Sequence, residues 1–219
     1  MVSISRGVLL GAALFALPGA AAAQDIKPLP KQEAAPEPEA DKSAAEGPKP
    51  AATAAASDPF AAIPPARPED VKSIDAIIVA LYDVISGDSG KERDWNRFRS
   101  LFYPGARMIP TGTNATTGKV GARIATPDDY IRANEAFLEG EGFHEQEMSR
   151  HVDSFGTIAQ VFSSYEARKK LSDEKPFLRG INSIQLLNDG NRWWVMTVAW
   201  APESAASPLP DQYSKKLER

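Results

Sequence analysis

Between residues 68 and 90 the apolar side chains fall at Val71, Ile74, Ile78, Leu81 and Ile85. Steps of three and four place them on one face, so the pattern predicts an amphipathic helix. Pro68 suits its first turn, Glu69 and Asp70 are favourable at its positive end, and Gly87 and Gly90 end it. A second, shorter helix is predicted around Trp95, Phe98, Leu101 and Phe102, stopped by Pro104-Gly105. A strand is predicted at 106–109, a polar loop at 111–119, and a second strand at 120–124. The third helix has the clearest start: Thr126 as N-cap, Pro127 at the first position, and Asp129 where a capping box places its acid. Tyr130, Ile131, Asn134, Phe137 and Leu138 form its inner stripe, and Gly140 closes it.

From residue 143 to 200 the pattern is that of strands, with breaks near 154–156, 169–176 and 188–191. The last break, Asn188-Asp189-Gly190-Asn191, is a hairpin signal. In the final strand Trp194, Met196, Val198 and Trp200 fall on one side, and Trp193, Val195, Thr197 and Ala199 on the other. The first set is expected to face the interior of a curved sheet, beside Asn182, Ile184 and Leu186 of the preceding strand. This makes an apolar funnel holding one amide. Burying that amide unpaired would cost ~1–3 kcal/mol, so Asn182 needs a partner, either a ligand or backbone groups. Tyr82 on the first helix and Tyr165 on a strand are placed to send hydroxyls toward the same interior.

Two stretches carry a family resemblance. One is Phe155-Gly156-Thr157-Ile158-Ala159-Gln160-Val161-Phe162-Ser163-Ser164-Tyr165-Glu166. The other runs from Phe177-Leu178-Arg179-Gly180-Ile181-Asn182 to Trp193-Trp194-Val195-Met196-Thr197-Val198-Ala199-Trp200. Following the predicted helix, helix, strand, strand, helix, they resemble the nuclear transport factor 2-like (SnoaL-like) superfamily, including its secreted bacterial members. The resemblance covers residues 69–203. It implies an α+β, cone-shaped fold, with a curved antiparallel sheet packed on three helices and a ligand site in the cone. Among ketosteroid-isomerase-like relatives, the position matching Asn182 holds an acid that donates a hydrogen bond to an oxyanion. Those enzymes also carry a carboxylate base near the end of the first strand. Here that stretch reads Met108-Ile109-Pro110-Thr111, and the base is missing.

Both histidines lie between residues 144 and 153. In a regular strand Glu145, Glu147, His151 and Asp153 share one face, and His144, Gln146, Met148, Arg150 and Val152 the other; a bulge would swap them. A His beside a carboxylate can be an oriented base, which makes His144, His151 and Asp153 the catalytic candidates. The bland alternative is a solvated strand with surface ion pairs. No metal site and no cofactor are expected.

Composition then narrows the setting. The 219 residues open with Arg6, an apolar run from Val8 to Leu17, and Ala21-Ala22-Ala23. That is the pattern of a signal peptide over residues 1–23, cut before Gln24. Residues 24–67 read as a disordered Ala/Pro-rich linker, residues 68–204 as the folded domain, and 205–219 as a tail. The chain has no Cys, which excludes disulfides and thiolate chemistry. A net charge of −4 offers no basic stripe for nucleic acid or anionic membranes. Asn114-Ala115-Thr116 fits a glycosylation sequon. Trp193, Val195 and Leu187 make the expected outer sheet face apolar, which suggests a homodimer. The first expectation is an exported domain, periplasmic or extracellular, that binds a small, largely apolar molecule or a protein partner without catalysis. The second is a cofactor-independent enzyme with a His base in the pocket. The third is a structural domain whose interior is filled.

Overall fold

The computed structural model describes residues 58–114 and 116–214. The expected signal peptide, most of the linker, the end of the tail and the middle residue of the sequon lie outside the described residues. Among the described residues, no helix is long and apolar enough to cross a membrane.

The first predicted helix is two. Helix α1 (Pro68–Val71) ends before Ser73, whose side chain accepts from the Ala76 amide and so starts α2 (Ile74–Ile85). Helix α2 buries Ile77, Ile78, Leu81, Tyr82, Val84 and Ile85. Helix α3 (Trp95–Ser100) is capped by Asp94. Its Arg97 grips Asp70 of α1 through two 2.8 Å bonds and Asp83 of α2 through one of 2.5 Å. These bonds hold the Asp70 carboxyl below its usual range. Strand β1 (Phe102–Thr113) starts earlier than predicted, because the chain passes Pro104-Gly105 as an irregularity of the strand rather than a stop. Strand β2 (Val120–Ala122) pairs with it. Helix α4 (Pro127–Glu141) has the predicted capping box and ends at Gly142. Four strands follow: β3 (His144–Phe155), β4 (Ile158–Arg168), β5 (Leu178–Asn188) and β6 (Trp193–Pro202).

The architecture is α+β, as expected. The six strands form one sheet in the order β2-β1-β6-β5-β4-β3. All pairs are antiparallel except β1–β6, which is parallel, so the sheet is mixed. Its inner face carries Val161, Ile184, Leu186, Val195 and Val198, which join the helix residues Ile78, Leu81, Phe98 and Ile131 in a single core. Arg93 ties the C-terminal ends of α2 and α4 by donating to the carbonyls of Ile85, Gly87 and Leu138. The two helices that overhang the sheet are thereby fixed to each other.

Contacts with the sheet and helices also come from residues before 68 and after 204. Phe60 sets its ring edge-on against Tyr103 at 5.3 Å and Trp194 at 5.6 Å, and Arg67 pairs with Asp94. Beyond Pro202, Glu203 pairs with Arg179 and accepts the Leu209 amide. A final turn, α5 (Asp211–Ser214), lays Tyr213 on Phe162 at 5.3 Å. A linker rich in Ala and Pro has few side chains to anchor, and Phe60 is its one aromatic residue.

Candidate functional site

Two bulges decide which side chains meet inside. In β3 the partners of Glu147 and Ser149 are the consecutive residues Tyr165 and Ser164, so Met148 is the extra residue. In β6 Val195 and Thr197 face the consecutive residues Leu186 and Gln185, so Met196 is extra. Paired residues share a face, and each bulge reverses the alternation beyond it.

Several sequence assignments change as a result. Trp194 pairs with Leu187 on the outer face, where its indole donates to Asp189 at 2.7 Å and Arg192 stacks on its ring. It is therefore not part of the funnel. Met196 sits half-buried at the bulge itself. Val195, expected outside, is fully buried in the core, and Trp193 also packs against the core. The proposed dimer face thus loses two of its three residues. Ile184 is inward but belongs to the closed core. His144 lies opposite Arg168 and bonds through Nε2 to Asp88 at 2.9 Å. His151 is exposed and bonds to Asp153 at 3.1 Å. Both imidazoles and Asp153 lie on the face opposite Glu145 and Glu147: alternation alone turns His144 outward, and the Met148 bulge turns His151 and Asp153.

The remaining candidates, Asn182, Tyr82 and Trp200, do come together. Across the inner face one lateral row runs Arg150, Ser163, Asn182, Trp200. The neighbouring row runs Glu147, Tyr165, Gly180. Gly180 is small for a reason: a Cβ there would lie 2.6 Å from the Tyr165 hydroxyl and against the Ala201 carbonyl. Its absence leaves the room that the Tyr165 ring occupies. Helix α2 delivers Tyr82 from above, and α4 delivers Tyr130, whose ring meets Trp200 edge-on at 6.0 Å.

The polar groups form a chain. The Asn182 amide donates to the Tyr82 oxygen at 3.0 Å and reaches Glu145 Oε1 at 3.3 Å. Tyr82 and Ser163 are 2.8 Å apart, and Ser163 donates to Glu147 Oε1 at 2.5 Å. Glu147 Oε2 accepts twice from Arg150, at 2.6 and 3.0 Å, and Arg150 also donates to Asp75 on α2 at 2.8 Å. Glu147 is therefore neutralised, whereas Glu145 is not. Burial pushes the Glu145 carboxyl up from an ordinary 4.5 to about 7, against the weaker pull of the Asn182 bond. Burial and then the Glu145 charge hold the Tyr82, Tyr130 and Tyr165 phenols well above their usual range, so all three are neutral donors or acceptors.

Sequence reasoning missed Glu145 as the central group, and it missed Glu147 with its partners Ser163 and Arg150. The available signal was Ser163-Ser164 set between Val161-Phe162 and Tyr165. A small hydroxyl in such a position marks a buried polar contact.

No family model matches the sequence, and no curated protein matches it. Solved structures do. One is a protein of unknown function with a cystatin-like fold from Nostoc punctiforme, at 8% identity and a TM-score of 0.45, covering 60% of this chain and 90% of that one. A second is an NTF2-like protein of unknown function from Shewanella baltica, at 15% and 0.40, covering 60% and 92%. A third is an NTF2-like protein of unknown function from Silicibacter pomeroyi, at 14% and 0.41, covering 60% and 94%.

Proposed function

We propose that the domain is a binding module for a small, largely apolar molecule bearing one polar group. The molecule seats that group at Glu145 and its apolar body among Trp200, Tyr130 and Tyr165. The observation that supports this reading is Glu145 itself: a carboxyl aimed inward, unneutralised and ringed by aromatic side chains. A merely structural interior gains nothing from such a group, because burying an unpaired carboxylate opposes folding. The leader pattern at residues 1–23 adds the proposal that binding takes place outside the cytoplasm.

A second reading has one specific observation in its favour. A carboxyl with a pKa of about 7 is suited to general acid–base work near neutral pH. In that case Glu145, rather than a histidine, moves the proton.

Fluorescence titration of the mature chain with 2-naphthol tests the binding site. Saturable quenching is expected, weakened at least tenfold by Trp200→Ala and unchanged by Trp194→Ala on the outer face. Equal effects of the two substitutions, or no saturable change in the wild type, would reject the site.

A further inference from the structure

This inference rests on the binding reading above and concerns the chemical class of the ligand. The direction of each proton in the polar chain can be worked out from its end. Glu147 accepts from Arg150 and from Ser163. A carboxylate has no proton to give, so the Ser163 proton is committed to it. The Ser163 oxygen must then accept the Tyr82 proton across their 2.8 Å contact. The Tyr82 oxygen in turn accepts from Asn182, whose amide also points at Glu145. Apart from the Asn182 N–H that reaches Glu145, every proton of the chain is directed toward the Arg150 end. What Tyr82 and Glu145 offer a ligand is acceptor capacity.

Charge points the same way. Arg150 is balanced by Glu147 and Asp75. Among the described residues, no cation pairs with Glu145. The groups that face it are Asn182 of β5 and the neutral phenols of Tyr82 on α2, Tyr130 on α4 and Tyr165 on β4. The Tyr130 and Tyr165 hydroxyls make no hydrogen bond with the described residues, and Trp200 stands against Tyr130. A carboxylate with aromatic rings for neighbours complements a single positive charge. A carbonyl acquiring negative charge here would meet a carboxylate, with the Tyr82 proton already committed elsewhere.

We propose that the ligand is an organic ammonium ion, an amine with an apolar body, whose N–H bonds Glu145 while its charge lies against the Trp200, Tyr130 and Tyr165 rings. Binding requires Glu145 in its ionised form, so it displaces a proton at pH values below about 7.

The test is calorimetric titration of the full mature chain with three ring-matched probes: benzylamine, benzyl alcohol and benzoate. At pH 8 benzylamine should bind at least tenfold more tightly than benzyl alcohol, about 1.4 kcal/mol, and benzoate should not bind. Benzylamine affinity should fall progressively from pH 8 to pH 5, although the amine stays charged throughout, and benzyl alcohol should show no such fall. Glu145→Gln should erase the preference for the amine, with its melting curve reporting that it is folded. If Glu145→Gln fails to fold, the wild-type pH dependence still decides. Benzyl alcohol or benzoate binding as tightly as benzylamine would overturn the ammonium assignment and leave the binding site standing. Failure of all three probes, with 2-naphthol also silent, would overturn both.

Discussion

Glu145→Gln is the substitution whose effect follows most directly from the structure. The carboxyl is raised from 4.5 to about 7 because it is buried without a cation. A raised pKa means that the folded protein binds this proton more tightly than the unfolded chain does. The protonated form therefore costs nothing below pH 4.5. Above that, stability falls as pH rises and levels off once pH passes about 7. At ~1.4 kcal/mol per tenfold change in proton affinity, the difference between the two values amounts to ~3 kcal/mol. Because Glu145 is only half-buried, this is the most the ionised group can cost. Gln keeps the shape, keeps an oxygen for the Asn182 amide, and cannot ionise. Urea unfolding of both proteins from pH 4 to pH 8 should show equal stability at pH 4. The variant should pull ahead by up to ~3 kcal/mol at pH 8, with most of the change between pH 5 and pH 7. Taking the difference between the two proteins removes the other carboxylates from the comparison. A difference independent of pH, or a Glu145 pKa near 4.5 by carbon-detected NMR, would refute the placement of this carboxyl.

Two further substitutions probe the surroundings. Arg150→Met leaves Glu147 buried without its cation and should cost ~3–5 kcal/mol in urea unfolding; adding Glu147→Gln should recover most of that loss, since the stranded charge is then gone. Phe60→Ala removes two edge-on ring contacts from the outer face, so it should lower stability by ~0.5–1.5 kcal/mol and shift Trp194 emission to the red, whereas unchanged emission would mean that residues 58–67 do not rest on the domain.

The fold was largely legible because its signals are local. Thr126, Pro127 and Asp129 announce α4 within four residues, and the Asn188-Asp189-Gly190-Asn191 turn announces the last hairpin. The site was half legible. Asn182 and Tyr82 were recognisable as polar groups on apolar faces, and they do meet. What could not be read was the parity of two strands. Trp193-Trp194-Val195 is apolar at three consecutive positions, so nothing in the pattern shows which side is inward. Glu145 to Arg150 is polar at all positions but Met148, so alternation gives no signal there either. An extra residue in such a stretch changes every face beyond it without changing the composition at all. The histidines were attractive for their chemistry, but alternation turns His144 outward and the bulge turns His151.

The Met148 bulge leads to a less obvious expectation. Glu147 and Arg150 are three residues apart, and in a regular strand they would point to opposite faces. They share a face here because Met148 is skipped in the pairing with β4. Deleting Met148 looks at first as if it would scramble the site. The register argues otherwise. Glu147 already faces Tyr165, and Ser149 already faces Ser164, so deletion makes consecutive residues pair with consecutive partners. Faces are set by β4, and Glu147 and Arg150 would stay inward at a spacing of two. The loss should then be mainly that of the Met148 side chain, which is 2% exposed. Deletion and Met148→Ala should therefore both destabilise by ~2–5 kcal/mol, and both should retain a Glu145 pKa near 7. Suppose instead that the deletion fails to fold, or returns the Glu145 pKa to an ordinary value, while Met148→Ala does neither. The bulge would then be required for the coiling of the sheet that brings Glu145 to Asn182, and not merely tolerated within it.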